Sequence, residues 1–170
     1  MIEQFTPAHS LWSAYIAHLN RVKMALWVVD ENEHPKPGIY FLGVITGSQI
    51  IGHISLQLQA IIIPRTEWGG GGPSSLVDAI GVPLRETFVQ TFAVDEEHRR
   101  KGYGRELQIA ALTMTKELGA YQMRSWSSSD NPANYALKIS LAFSAHPTIY
   151  TTDSGLEVSG VYFIKTLQGQ

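Results

Sequence analysis

One stretch limits the folds open to this chain of 170 residues more than any other. A strand-like run over residues 88–94 meets the charged turn Asp95-Glu96-Glu97-His98-Arg99-Arg100-Lys101, and Gly102-Tyr103-Gly104 follows. Beyond it Leu107, Ala110, Ala111, Met114 and Leu118 fall on one helical stripe, with Gly119 suited to the C-terminal cap. A strand that enters a helix through a glycine turn leaves several backbone N–H groups unpaired at the helix start, where the macrodipole favours an anion. Glycine at 102 and 104 admits a diphosphate close to the backbone, and Arg99, Arg100, Lys101 and Arg105 add positive charge at the rim. Two phosphate-binding motifs fail on specific residues. A P-loop needs Lys-Ser or Lys-Thr after its last glycine, but Arg105-Glu106 follows Gly104; a dinucleotide fingerprint needs a small residue at 107, which is Leu107.

The flanking sequence adds a sheet around this unit. Leu11, Trp12, Tyr15, Ile16 and Leu19 recur at helical spacing after Thr6-Pro7, which reads as a helix start. Residues 39–46 and 49–59 flank Gly47-Ser48 as a hairpin, with Ile54, Leu56 and Leu58 alternating with Ser55, Gln57 and Gln59. Residues 60–85, with Trp68, Gly69 to Gly72 and four further Gly or Pro positions, form a long insertion holding at most a short helix at 76–80. A strand at 121–126, a helix opened by Asn131-Pro132 and running to about Phe143, and a closing hairpin at 148–152 and 157–165 complete the order. These elements predict one α/β (α+β) domain over 1–170: a mixed, mostly antiparallel twisted sheet with helices on both faces.

Composition removes other classes. The chain has no cysteine, which excludes a disulfide framework, a thiolate zinc site and a cysteine nucleophile. Its six histidines show no paired ligand spacing, so no metal is expected. A net charge of -2 gives no reason to expect nucleic acid or an anionic membrane as partner. No basic segment leads into an apolar run and no run approaches the ~20 residues that span a bilayer; a cytoplasmic location is expected.

With these residues in view, the chain resembles the GNAT N-acetyltransferase superfamily. Arg99-x-x-Gly102-x-Gly104 matches the family's acetyl-CoA signature, Arg/Gln-x-x-Gly-x-Gly/Ala, and residues 131–143 are similar to its second element, Asn-x-x-Ala-x-x-Leu-Tyr-x-Lys-x-Gly-Phe. The resemblance implies an acetyl-CoA-dependent transfer to a primary amine of a small molecule or peptide, by direct attack on the thioester. The backbone of Phe92, Ala93 and Val94 would pair with the pantetheine arm, and a Val94 amide would polarise the carbonyl. The amides of Arg99, Arg100, Lys101, Gly102, Tyr103, Gly104 and Arg105 would bind the pyrophosphate, and Asn131 would reach the arm. Relatives are frequently dimers, so a homodimer is an expectation of the same kind.

Two departures affect the catalytic groups. The family's usual acid, a tyrosine, falls on Lys138, so Tyr135, one turn earlier, is the expected acid, with Lys138 as the other candidate. The position of the glutamate base found in some members is Phe88; Glu86 shares its face in a regular strand, is the expected base, and would be upset by a bulge. These departures leave a second reading, a non-catalytic acyl-CoA-binding or regulatory module of the same fold.

Overall fold

A computed structural model describes residues 1–63, 73–152 and 154–167. The alternating run on either side of Gly47 folds as a hairpin of β2 (Ile39–Thr46) and β3 (Gln49–Ala60). Ahead of it come β1 (Ile2–Phe5), α1 (Trp12–Arg21) and α2 (Ala25–Val28). After it come the short pair β4 (Ile62–Ile63) and β5 (Ser74–Ser75), then β6 (Arg85–Val94), α3 (Tyr103–Glu117), β7 (Gln122–Ser128), α4 (Pro132–Ser140), β8 (Ser144–Thr151) and β9 (Glu157–Thr166). Seven strands form one sheet in the order β1-β2-β3-β6-β7-β9-β8, mixed because β6 and β7 run parallel while the other neighbours are antiparallel.

Strand alternation divides the core between the two faces. Leu42, Val44, Ile54, Leu56 and Val89 pack under Leu107, Ala111 and Met114 of α3. Phe41, Ile45 and Ile50 pack on the other side with Phe5 of β1 and Tyr15, Ile16 and Leu19 of α1. Leu107 is fully buried, a contribution of about 2 kcal/mol that fixes α3 on the sheet.

Three local expectations are corrected. Thr6-Pro7 does not start α1: β1 ends at Phe5, and the helix begins at Trp12 behind Leu11, which offers no side-chain cap. His9 does local work instead, accepting the Leu11 N–H at its Nδ1. No helix forms at 76–80. Asp78 Oδ1 takes the N–H groups of Ile80 and Val82, closing a turn that competes with helix, and Val77 bridges Pro83. Finally, α4 ends at Ser140 because Ala142 turns left-handed, with φ 57°, before Phe143. Trp68 and Gly69 to Gly72 lie outside the described residues.

Candidate active site

The glycine turn is built as the sequence implies. Asp95 N–H bonds the Ile51 carbonyl and fixes the end of β6, and a single tight turn at Glu96–His98 carries the chain toward α3. Gly102 caps α3 with φ 92°, a left-handed conformation that costs glycine little, and Arg100 is left-handed too, with φ 59°. The N–H groups of Arg105 and Glu106 close onto the Gly102 carbonyl. Those of Arg100, Lys101, Gly102, Tyr103 and Gly104 have no backbone acceptor among the described residues. Successive unbonded amides in such a turn form an anion-binding concavity. A Cβ on Gly104 would meet the Phe92 ring at 3.3 Å, so glycine keeps the helix close to β6 there. Of the four rim cations, Arg99 folds back to the Val94 carbonyl (3.0 Å) and Arg105 bonds Ser140 Oγ (3.1 Å). Arg100 and Lys101 are exposed and tied to nothing among the described residues.

Next to this turn the sheet is split. The parallel β6–β7 ladder covers only Glu86 to Phe88 against Gln122 to Arg124. Past Phe88 the strands part, while β7 stays paired with β9 as far as Ser128. The gap is a cleft of about 200 Å³ lined by residues 89–92 of β6 and 125–128 of β7, with Gln108, Asn131, Asn134 and Lys138 above. Gln90 is the extra residue of a bulge: Val89 faces Leu56 and Thr91 faces Ser55 across the ladder. Thr91 therefore bonds Ser55 on the α1 face, and Phe92 turns to Gly104 on the α3 face. Asn131 caps α4, its Oδ1 accepting the Asn134 N–H at 3.2 Å, and lines the cleft at the same time.

Lys138, the other candidate for the acid, is a buried member of the cleft. It is 1% exposed, its Nζ donates to Gln108 Oε1 at 2.8 Å, and it sits 4.5 Å from the centre of the Phe143 ring. Burial lowers its pKa from 10.5 to about 7. Gln108 Nε2, Ser125 Oγ and Asn134 Oδ1, all cleft residues, are buried without a hydrogen-bond partner among the described residues.

The two residues expected to act as base and acid occupy other surroundings. Glu86 precedes the bulge and lies on the face away from α3, whereas Thr87 bonds Thr115 of α3. Its carboxylate accepts from Arg124 Nε at 3.0 Å, from Arg124 Nη2, from Gln122 (2.8 Å) and from Gln59 (2.9 Å). Burial alone would raise its pKa, but these donors outweigh it and hold the carboxyl below the ordinary value. Arg124 in turn lies between the Phe88 and Tyr162 rings, 4.9 and 5.0 Å from their centres. Tyr135 packs on Phe163 and donates its O–H to the Ser127 carbonyl at 3.3 Å.

The α1 face also buries a histidine pair. His53 is fully buried; its Nδ1 and His18 Nε2 are 2.8 Å apart. Burial, and then the neighbouring His18, lower the His53 pKa to about 3. The signal available in the sequence was His18, which sits three residues after Tyr15 inside the apolar stripe of α1.

The model of the Acetyltransferase (GNAT) family matches residues 8–138, and the chain belongs to that family of acyltransferases. No curated protein matches it. Among solved structures it is similar to Arabidopsis thaliana NAA60 in complex with acetyl-CoA, at TM-score 0.70 and 12% identity over 99% of each chain. It is also similar to the ribosomal-protein-alanine N-acetyltransferase of Brucella melitensis, at TM-score 0.65 and 19% identity over 98% of this chain and 99% of that one. An aminoglycoside 6'-N-acetyltransferase complexed with coenzyme A gives TM-score 0.63 at 11% identity, covering 100% of this chain and 98% of that one. At such identities the likeness is one of fold. Among the described residues no helix is long and apolar enough to cross a membrane.

Proposed function

We propose that this protein moves an acetyl group from acetyl-CoA to a primary amine of a small molecule or peptide by direct attack on the thioester. The observation that carries the reading is the adjacency of two unfilled backbone features: the amide concavity at residues 100–104 and the open strand edges beyond Phe88. The first suits a diphosphate; the second suits an extended arm with amide groups, which can pair with Phe92, Ala93 and Val94 as an added strand. Asn131 borders the same cleft. The thioester then lies within the split, with a Val94 amide to polarise its carbonyl as the amine attacks. A cytoplasmic site of action goes with this reading.

Glu86 was the base expected from sequence. A carboxylate held by three donor side chains and kept ionised is a weak proton acceptor. We assign it to holding Arg124 between Phe88 and Tyr162, and the amine's proton to water in the cleft. Tyr135, its hydroxyl turned to Ser127, supports β7 in the same reading. The structures it is similar to are named for acceptors as different as a ribosomal-protein alanine and an aminoglycoside, so the acceptor class stays at primary amine.

The test is calorimetric titration with coenzyme A, together with thiol release from acetyl-CoA across a panel of amino-acid amides, peptides and polyamines. Saturable binding with amine-dependent thiol release is expected. Saturable binding with no release on any amine would favour the non-catalytic acyl-CoA-binding module, and no binding would end both readings.

A further inference from the structure

Among the described residues that line the cleft, Lys138 is the one buried ammonium. An ammonium at 1% exposure loses nearly all of its hydration, and Gln108 Oε1 returns one hydrogen bond of the three it can donate. No carboxylate among the described residues pairs with it. Its contacts are neutral, Gln108 Oε1 from α3 and the Phe143 ring after α4; the carboxylates of α3, Glu106 and Glu117, are exposed, and the nearby cations are engaged elsewhere, Arg105 with Ser140 and Lys165 with the Leu141 carbonyl. A cation so placed is destabilising in the empty protein, and what would compensate it is negative charge arriving in the cleft it lines.

Resting on the transferase reading above, we propose that Lys138 is the catalytic acid of the reaction, giving a proton from Nζ to the departing thiolate, with Gln108 as its positioning residue. The amine nitrogen forms its bond to the acyl carbon and the carbon–sulfur bond breaks, leaving the electron pair on sulfur. One Nζ–H proton passes to that sulfur, so coenzyme A leaves as the thiol and Lys138 is left neutral. The amine's surplus proton goes to water, and Lys138 regains a proton from solvent through the cleft. The balance needs no further reactant. The direction of transfer is favourable, because burial lowers the Lys138 pKa to about 7, below the value of about 8.5 for an ordinary thiol. Gln108 holds Nζ through Oε1, and its buried Nε2, without a partner, is a donor left for the ligand.

The experiment compares wild type with Lys138→Met, which keeps most of the bulk and removes the proton, using acetyl-CoA and the fastest amine of the panel. The variant should bind coenzyme A within a few-fold of wild type while kcat near pH 7 falls about 100-fold. In wild type, kcat should decline as pH rises through the Lys138 pKa, and Lys138→Met should lack that limb. Wild-type kcat still rising above pH 8, or a variant with unchanged kcat and pH profile, would overturn the acid role while leaving the transferase reading intact. The wild-type profile serves alone if the variant does not fold. Failure of wild type to bind coenzyme A would instead remove the reading on which the role rests.

Discussion

Two ionisable side chains are buried on opposite faces of the split sheet, and their surroundings differ in kind. Glu86, where β6 and β7 are still paired, is surrounded by donors from Arg124, Gln122 and Gln59. Lys138, above the point where the strands have parted, has among the described residues one neutral hydrogen-bond partner, and it faces a cleft where Gln108 Nε2, Ser125 Oγ and Asn134 Oδ1 have none. A charge whose needs are met inside the protein is architecture; a charge left short beside a cavity waits for something from outside. The first closes the sheet at the base of the split, and in the proposed reading the second equips the split for chemistry.

That contrast can be broken by mutation. Glu86→Ala leaves the Arg124 guanidinium unpaired between two rings and should cost about 3 kcal/mol in urea unfolding. Lys138→Met, by contrast, should leave stability near pH 7 unchanged or raised. A Glu86→Ala variant as stable as wild type, or a strongly destabilised Lys138→Met, would reverse the assignment of the two sites.

The pH dependence of stability should separate them next. The native Lys138 pKa of about 7 lies below the ordinary 10.5, so between these values the unfolded chain binds more protons and stability rises with pH. The slope from this group is at most about 1.4 kcal/mol per pH unit, and Lys138→Met should remove it. Glu86 acts at the acid end: its lowered pKa contributes stability above the ordinary 4.5 that is lost as pH falls through the native value. His53, held neutral, removes stability in the same direction once pH drops below 6.5, so Glu86→Gln should flatten only the most acid part of the curve. The smallest effect belongs to Tyr135→Phe, which loses one bond to the Ser127 carbonyl. It should cost about 1 kcal/mol and change kcat by less than about threefold; a loss of the wild-type pH limb in this variant would return the acid role to Tyr135.

The boundary between what sequence revealed and what it hid follows physical range. The hairpin at 39–60, strand β6, helix α3 and the Asn131 cap were legible because alternation, helical stripes and capping chemistry are local. The glycine turn was legible for the same reason: its shape comes from Gly102 and the helix start. Strand β1 was not, since four residues carry too little pattern and its pairing with β2 lies about forty residues away. The bulge at Gln90, the Glu86–Arg124 pair and the His18–His53 contact each join distant segments, and residue types at those positions did not announce their partners. Lys138 was visible as a departure from the family tyrosine, but its burial depends on how α4 settles against α3.

The central claim is that the unbonded amides at residues 100–104 hold the diphosphate of coenzyme A, and calorimetry on wild type and Gly104→Glu tests it most directly. Wild type should bind saturably and the variant at least about 100-fold more weakly, from like-charge repulsion costing several kcal/mol, with circular dichroism unchanged. Equal affinity in the two proteins would contradict the claim.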